Sequence, residues 1–193
     1  MNILQFIKSR RSIRKFFDKS IEPEKIAIIL EAGRWAPSAG NCQPWRFLVI
    51  TDEKKIKNLD PLFHQPWVEK APLVIVVLAV PADSKKRYGK GSNYYIMDCS
   101  AAIQNMLLMA HGLGLGAVWV GAFSKKAVRE QLDIPDTYEV FALIPMGYYS
   151  NEDSVKFDGG IFSNRERSRR KNLNEIAFAE DLDNPWIIKP EEI

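Results

Sequence analysis

The sequence predicts a three-layer domain of the α+β or α/β class, with helices packed on a central sheet. Three observations carry this. Short apolar runs that read as strands are interspersed with longer stretches of helical period. One run, "PLVIVVLAVPA" from Pro72 to Ala82, is apolar and β-branched enough to be buried on both faces. No repeat divides the 193 residues, a length that suits one domain of about 100–200 residues.

The first helix is expected in "NILQFIKSR", where Ile3, Leu4, Phe6 and Ile7 fall on helical spacing and the basic end suits the helix dipole. A second follows Glu22, with Pro23 in the first turn and Ile26, Ile29, Leu30 and Gly33 on one face. Pro37 ends it, and Ser38 to Asn41 is a loop. "WRFLVITD" (Trp45 to Asp52) reads as a strand, "DEKKIKNLDP" as a short helix, and Lys85 to Asn93 as a polar loop. "YYIMDCSAAIQNMLLMAHGLGLG" carries the strongest helical pattern, through Ile96, Cys99, Ile103, Met106, Leu107 and Ala110, with Gly112 and Gly114 as stop signals. Apolar residues on more than one face place it centrally or against another subunit. "GAVWVGAF" is a short strand, "SKKAVREQLDIP" a helix capped by Ser124, and "YEVFALIPMGYY" the last strand. The segment after Asn151 is polar, and the tail from Arg169 has weak helical signal and no core of its own.

Composition narrows the function. Apolar residues make up 46% and charged residues 26%, which excludes disorder for most of the chain. A net charge of +3 makes the protein as a whole a poor polyanion binder, so basic function must come from local clusters. Cys42 and Cys99 are too few for a structural zinc site or a disulfide framework. The apolar runs fall short of the roughly 20 residues that cross a bilayer, and "MNILQFIKSRR" does not have the order of a secretory signal. A cytoplasmic location is the expectation.

Four clusters stand out. Arg10, Arg11, Ser12 and Arg14 could converge on one anion, since guanidinium groups grip phosphate in bidentate geometry; they equally make a solvated basic face. "APSAGNCQPWRF" (Ala36 to Phe47) flanks the amides of Asn41 and Gln43 with small residues, and could lie flat on a heteroaromatic ring or simply connect helix to strand. Around Gly121, backbone N–H groups are open to a ligand or to a tight turn. "RERSRRKN" (Arg165 to Asn172) is basic without interleaved aromatics, which weakens a single-stranded nucleic-acid reading. His64 and His111 offer no catalytic pair, and no nucleophile or metalloprotease motif is present. So thin a catalytic inventory points to chemistry carried by a cofactor. A Rossmann G-x-G-x-x-G is absent, because the glycines of "GLGLGAVWVG" follow a helix and precede a strand.

Together "RRSIRKF", "ILEAGRWAPSAGNCQPWRFLVI", "DCSAAIQNMLLMAHGLGLGAVWVGAF", "IPMGY" and "RRKNLNEI" resemble, in order and separation, the nitroreductase family of flavin enzymes. The resemblance runs from about Ile3 to Ile176. It implies an α+β, α/β/α sandwich with a mostly antiparallel sheet, one FMN-binding domain over residues 1–193, and an intertwined homodimer with two FMN sites at its interface. The extension 173–193 would pack on the partner. It also implies FMN contacts from Arg10, Arg11 and Ser12 at the phosphate or ribityl chain, and from Arg14 at the pyrimidine edge. Pro37, Ser38, Ala39, Asn41 and Gln43 would line the site, from the partner. Val120, Gly121 and Ala122 would face the central ring, and Arg170, with Arg169 or Lys171, would close on the phosphate. Cys42 has no family role, and Asn172 stands where relatives often have Pro. The implied reaction is ping-pong: NAD(P)H gives hydride to flavin N5, and a nitroaromatic, quinone or free flavin then takes the electrons, stacked against the Phe63 to Trp67 region. Flavin-fragmenting or dehalogenating enzymes share the fold, and a flavin-storage or nucleic-acid-binding protein without turnover is the reading from another class.

Overall fold

The computed structural model describes residues 2–59, 70–150 and 170–186. The chain forms two compact units, Met1–Ser154 and Val155–Ile193. In the first, the elements run α1 (Ile3–Ser9), α2 (Pro23–Arg34), β1 (Trp45–Ile50), α3 (Glu53–Asn58), β2 (Leu73–Ala79), α4 (Pro81–Tyr88), α5 (Tyr94–Gly112), β3 (Gly116–Ala117), α6 (Lys125–Gln131) and β4 (Glu139–Gly147). The helix starts follow local chemistry. Asn2, Asp52 and Ser124 each accept an N–H from the first turn of α1, α3 and α6. Pro23 and Pro81 open α2 and α4, where a missing N–H costs nothing.

The sheet order is β1-β2-β4-β3 and every pairing is antiparallel. β2 is central and buried along its whole length, as its unbroken apolar run requires. Alternation along it feeds two cores. Leu73, Ile75, Val77 and Ala79 meet α2 and α5, while Val74, Val76 and Leu78 meet a second cluster that contains Ile56 of α3 and Val128 of α6. Helices thus cover both faces, giving the three layers, and the fully antiparallel sheet makes the class α+β. A bulge between Val77 and Leu78 changes the register against β4, so Val140 joins one core while Ala142 joins the other. Ile144 is fully buried in the core under α5. Ile144→Ala is expected to cost about 2–5 kcal/mol, read as a lower urea midpoint with an unchanged m-value.

Helix α5 packs against α2 so closely that a Cβ on Gly33 would lie 2.9 Å from Met106 Cγ. Asn105 Nδ2 donates to Ala32 O at 3.1 Å across the same seam. Tyr148, just after β4, ties in the start of α2: its hydroxyl donates to Glu22 at 2.6 Å and accepts from Lys25 at 2.5 Å. The hydrogen bond from Tyr148 chiefly holds the Glu22 carboxyl down at about 2.

The structure corrects three expectations. The stretch Lys85 to Asn93 is not all loop, because its first residues complete α4. That helix buries only Ser84, so it has no apolar period to read; Pro81, Asp83 and the run Lys85–Arg87 place it through capping and dipole instead. Ile96 is 42% exposed, although it lies on the period that predicted burial, and Asp98 is buried in its place. β3 is two residues long, with Val120 meeting β4 through an isolated bridge to Leu143.

The second unit is described over residues 170–186. A 3₁₀ turn, Leu173–Glu175, is closed by a capping box between Asn172 and Glu175. Beyond it, Phe178 bridges Pro185 and the Trp186 N–H donates to Ala177 O at 2.8 Å.

Candidate active site

The basic segment leaves α1 at Arg10, whose extended backbone ends the helix. It then runs along the sheet edge: Ser12 forms a parallel bridge with Ala117, and the Ile13 N–H donates to Ala117 O at 3.1 Å. Gly116 permits this approach, because a Cβ there would stand 2.6 Å from Ile13 Cβ. The Arg11 guanidinium turns back onto the end of α1, donating to Lys8 O at 2.5 Å and Arg10 O at 3.0 Å. Arg14 Nη1 reaches Ser12 O at 3.4 Å. His111, at the C-terminal end of α5, hydrogen-bonds Ser9 Oγ at 2.8 Å and stacks near Phe6. Its pKa is lowered, first by burial and then by the charges of Arg10 and Arg11. The two guanidinium groups thus lie close enough to His111 to disfavour its charged form.

The Ser12–Ala117 seam sets this segment beside the next candidate stretch. Val118 donates to Pro145 O, and Val120 exchanges two backbone hydrogen bonds with Leu143. The chain then departs from the sheet. Val120 is buried, whereas Gly121 and Ala122 are exposed. A Cβ on Gly121 would meet only Trp119 Nε1, at 3.9 Å. Backbone N–H groups here can be approached by a flat ligand.

The loop Pro37–Gln43 is built differently. Gly40, Asn41 and Gln43 have φ of +52°, +56° and +48°, a region that disfavours residues with a Cβ. Four contacts hold this shape. Ala39 N–H donates to Asp98 Oδ1 at 2.9 Å, Gln43 N–H to Ser38 Oγ at 3.0 Å, Gln43 Nε2 to Asn41 Oδ1 at 3.0 Å, and Asn41 N–H to Ser38 O at 3.0 Å. The amides of Asn41 and Gln43 are thereby paired side by side, with donors and acceptors left for a heteroaromatic edge. Cys42 is half-buried between them, and Cys99 is fully buried, its thiol pushed up to about 12 by burial above all.

Within the first unit, the segment of Arg10, Arg11, Ser12 and Arg14 pairs through Ser12 and Ile13 with Ala117, three residues before Val120, Gly121 and Ala122. The loop with Pro37, Ser38, Ala39, Asn41 and Gln43 is anchored elsewhere: Asp98 and His111 are thirteen residues apart on α5, about 20 Å along its axis. Arg170 and Lys171 are exposed residues of the second unit, and Arg169 and the Phe63 to Trp67 region lie outside the described residues. Sequence reading missed Asp98, which anchors the loop, and Gly40, which lets Arg87 and Tyr88 pack over it. The signal for Asp98 was a lone carboxylate in the otherwise uncharged stretch from Tyr94 to Ala102.

These groups fit FMN. Arginines and a serine hydroxyl suit a phosphate, exposed backbone at Gly121 and Ala122 suits a flat ring, and paired amides suit its polar edge. The comparisons agree. The model of the nitroreductase family matches residues 7–70 and 60–148. An Archaeoglobus fulgidus protein, provisionally named NADH dehydrogenase/NAD(P)H nitroreductase, is 42% identical over 154 residues, which is 77% of this chain and 86% of that protein. The crystal structure of a nitroreductase family protein from Clostridium difficile 630 superposes with a TM-score of 0.75 at 31% identity, covering 94% of this chain and 100% of that one. An FMN-dependent nitroreductase from Clostridium difficile R20291 gives a TM-score of 0.67 at 32% identity, covering 82% of this chain and 100% of that one. The chain belongs to the nitroreductase family.

Proposed function

We propose that the protein is an FMN-dependent oxidoreductase that passes electrons from NAD(P)H to a flat acceptor, a nitroaromatic, quinone or flavin, by a ping-pong mechanism. The observation that carries this reading is the Ser12–Ala117 seam, which pairs a cationic segment with the strand that leads into the exposed, side-chain-poor backbone of Gly121–Ala122. Bound FMN supplies the redox chemistry, accepting hydride at N5. For a nitroaromatic, NAD(P)H and one proton convert Ar–NO₂ to Ar–NO and water, leaving NAD(P)⁺. The chain's own part is binding and orientation. Arg10 and Ser12 hold the phosphate end, with Arg11 and the second unit's Arg169, Arg170 or Lys171 supporting them. Arg14 places positive charge at the pyrimidine edge, where negative charge grows on reduction. The N–H groups near Gly121 face the central ring.

The same reading includes a homodimer. One chain separates the Arg10–Arg14 segment from the Pro37–Gln43 loop by most of α5, and a second copy would bring the loop of one to the arginines of the other. Exposed Ile3 and Ile7 on α1, and Leu173, Ile176 and Leu182 in the second unit, are apolar surface suited to such a contact. The extension 173–193 would pack there.

The test is a visible spectrum of the purified protein before and after FMN is added, followed by anaerobic mixing with NADH and NADPH. Flavin bands that bleach with either nucleotide are expected. Absence of flavin uptake would sink the reading, and bound flavin that bleaches with neither would leave a storage protein. Arg10→Gln is expected to weaken FMN binding about 10-fold or more through loss of a charge-assisted hydrogen bond, measured by quenching of FMN fluorescence.

A further inference from the structure

A cavity of about 630 Å³ lies where α4 passes into α5, lined by Tyr88, Lys90, Asn93, Tyr94, Ile96 and Met97 among others. It is a shallow hollow, widely open to solvent. One side is aromatic, with Tyr88 and Tyr94 ring centroids 4.8 Å apart and edge-on, and Ile96 and Met97 are exposed on α5. An aromatic and apolar lining of this kind accepts a planar ring. Its charge is one-sided. Lys85, Lys86, Arg87 and Lys90 are clustered at the end of α4 and just beyond it, and no acidic residue is among those lining the cavity. Lys90 and Arg87 make no hydrogen bond or ion pair among the described residues, whereas Lys85 lies near enough to act on the Glu139 carboxylate.

The cavity is also joined to the Pro37–Gln43 loop. Gly40 sits under Arg87 and Tyr88, and a Cβ there would come 2.3 Å from Arg87 Nε and 2.5 Å from the Tyr88 hydroxyl. The glycine is therefore the contact between loop and cavity wall. We propose that this hollow binds the electron acceptor, and that the acceptor it suits is a planar aromatic compound bearing an anionic group, its ring against the exposed surface of the Tyr88–Tyr94 pair and its anion on Lys90 and Arg87. This rests on the reading of the Pro37–Gln43 loop as part of the flavin site. It adds a charge preference to that reading: Lys90 in the lining and Arg87, next in the chain to Tyr88 and packed over Gly40, favour a carboxylate, sulfonate or phosphate over a neutral ring of the same shape.

The experiment compares 4-nitrobenzoate with 4-nitrobenzamide, which share shape and differ in charge, on the FMN-loaded enzyme at low salt. The ratio of their kcat/KM values in the wild type, divided by the same ratio in Arg87→Gln/Lys90→Gln, cancels the intrinsic reactivity of each compound. A value of about 10 is expected, with KM for NADH and NADPH unchanged. Benzoate, which cannot be reduced, should perturb the flavin band of the oxidised wild type and do so about 10-fold more weakly in the double variant. The wild type alone gives a second measure, since about 0.3 M salt should depress turnover of 4-nitrobenzoate and spare 4-nitrobenzamide. A ratio near one with no loss of benzoate binding overturns the proposal. So does a rise in the nucleotide KM instead, which would assign the cations to the donor's phosphates. A chain that takes up no FMN would defeat the underlying reading; a flavin-loaded, active enzyme blind to the carboxylate would defeat this inference alone.

Discussion

Gly116→Ala is expected to lower folding stability and FMN affinity together. The added methyl would sit 2.6 Å from both Cβ and Cγ2 of Ile13. Cβ is fixed to the backbone, so no rotamer change relieves the clash, and the segment must move off the sheet edge. Ile13 is buried, and overpacking at such a place costs about 1–3 kcal/mol. The displaced segment carries Arg10, Ser12 and Arg14, so the phosphate grip loosens with it. A drop in denaturant midpoint with about a 10-fold weaker FMN dissociation constant is the expected pair of results, the latter equivalent to roughly 1.4 kcal/mol. Gly91→Ala is the control, since a Cβ there meets nothing within 4 Å among the described residues and should alter neither quantity. Lost stability with FMN binding intact would mean that the Ser12–Ala117 seam is structural and that the flavin phosphate is held elsewhere.

How far the sequence disclosed this molecule depends on what each element uses to declare itself. β2 and α5 were plain because their burial is written in side chains, as a β-branched run and as a repeat through Cys99, Ile103, Met106 and Ala110. α4 was not, because a helix that turns almost every side chain to solvent leaves no hydrophobic period. Its signals were a proline at the first position and cations at the last turn. The candidate site divides in the same way. Arg10, Ser12, Arg14 and the Pro37–Gln43 loop could be named from residue types and family order, whereas Asp98, Gly40 and Arg87 matter through who touches whom. A single-chain pattern carries no information on those distances. Even Ile96 shows the limit: its spacing matches the buried face, yet it lies at the first turn and a half of α5, where the helix emerges beside the cavity.

Asp98→Ala should cost FMN affinity more than any other change outside the arginine segment, and Asp98→Asn should largely restore it. Asp98 is 5% exposed, and its Oδ1 is the acceptor for the Ala39 N–H that pins the loop to α5. Its Oδ2 is buried with no hydrogen-bond partner among the described residues. A loop that keeps Asn41 and Gln43 at positive φ stores strain, and such conformations persist only while the surroundings enforce them. Removing the acceptor orphans the Ala39 N–H and frees the loop to relax, for a loss of about 1–3 kcal/mol. If the loop then presents its amides to the flavin less often, FMN binding falls about 10-fold by the same principle. Asparagine keeps the shape and the acceptor oxygen for the Ala39 N–H, so it should hold the loop in place. The visible spectrum separates the causes, because a displaced loop changes the polarity at the flavin edge and shifts the bound flavin bands, whereas a remote loss of stability does not. An asparagine variant as impaired as alanine would show that the charge matters rather than the acceptor. Unchanged flavin binding in both variants would remove the Pro37–Gln43 loop from the site.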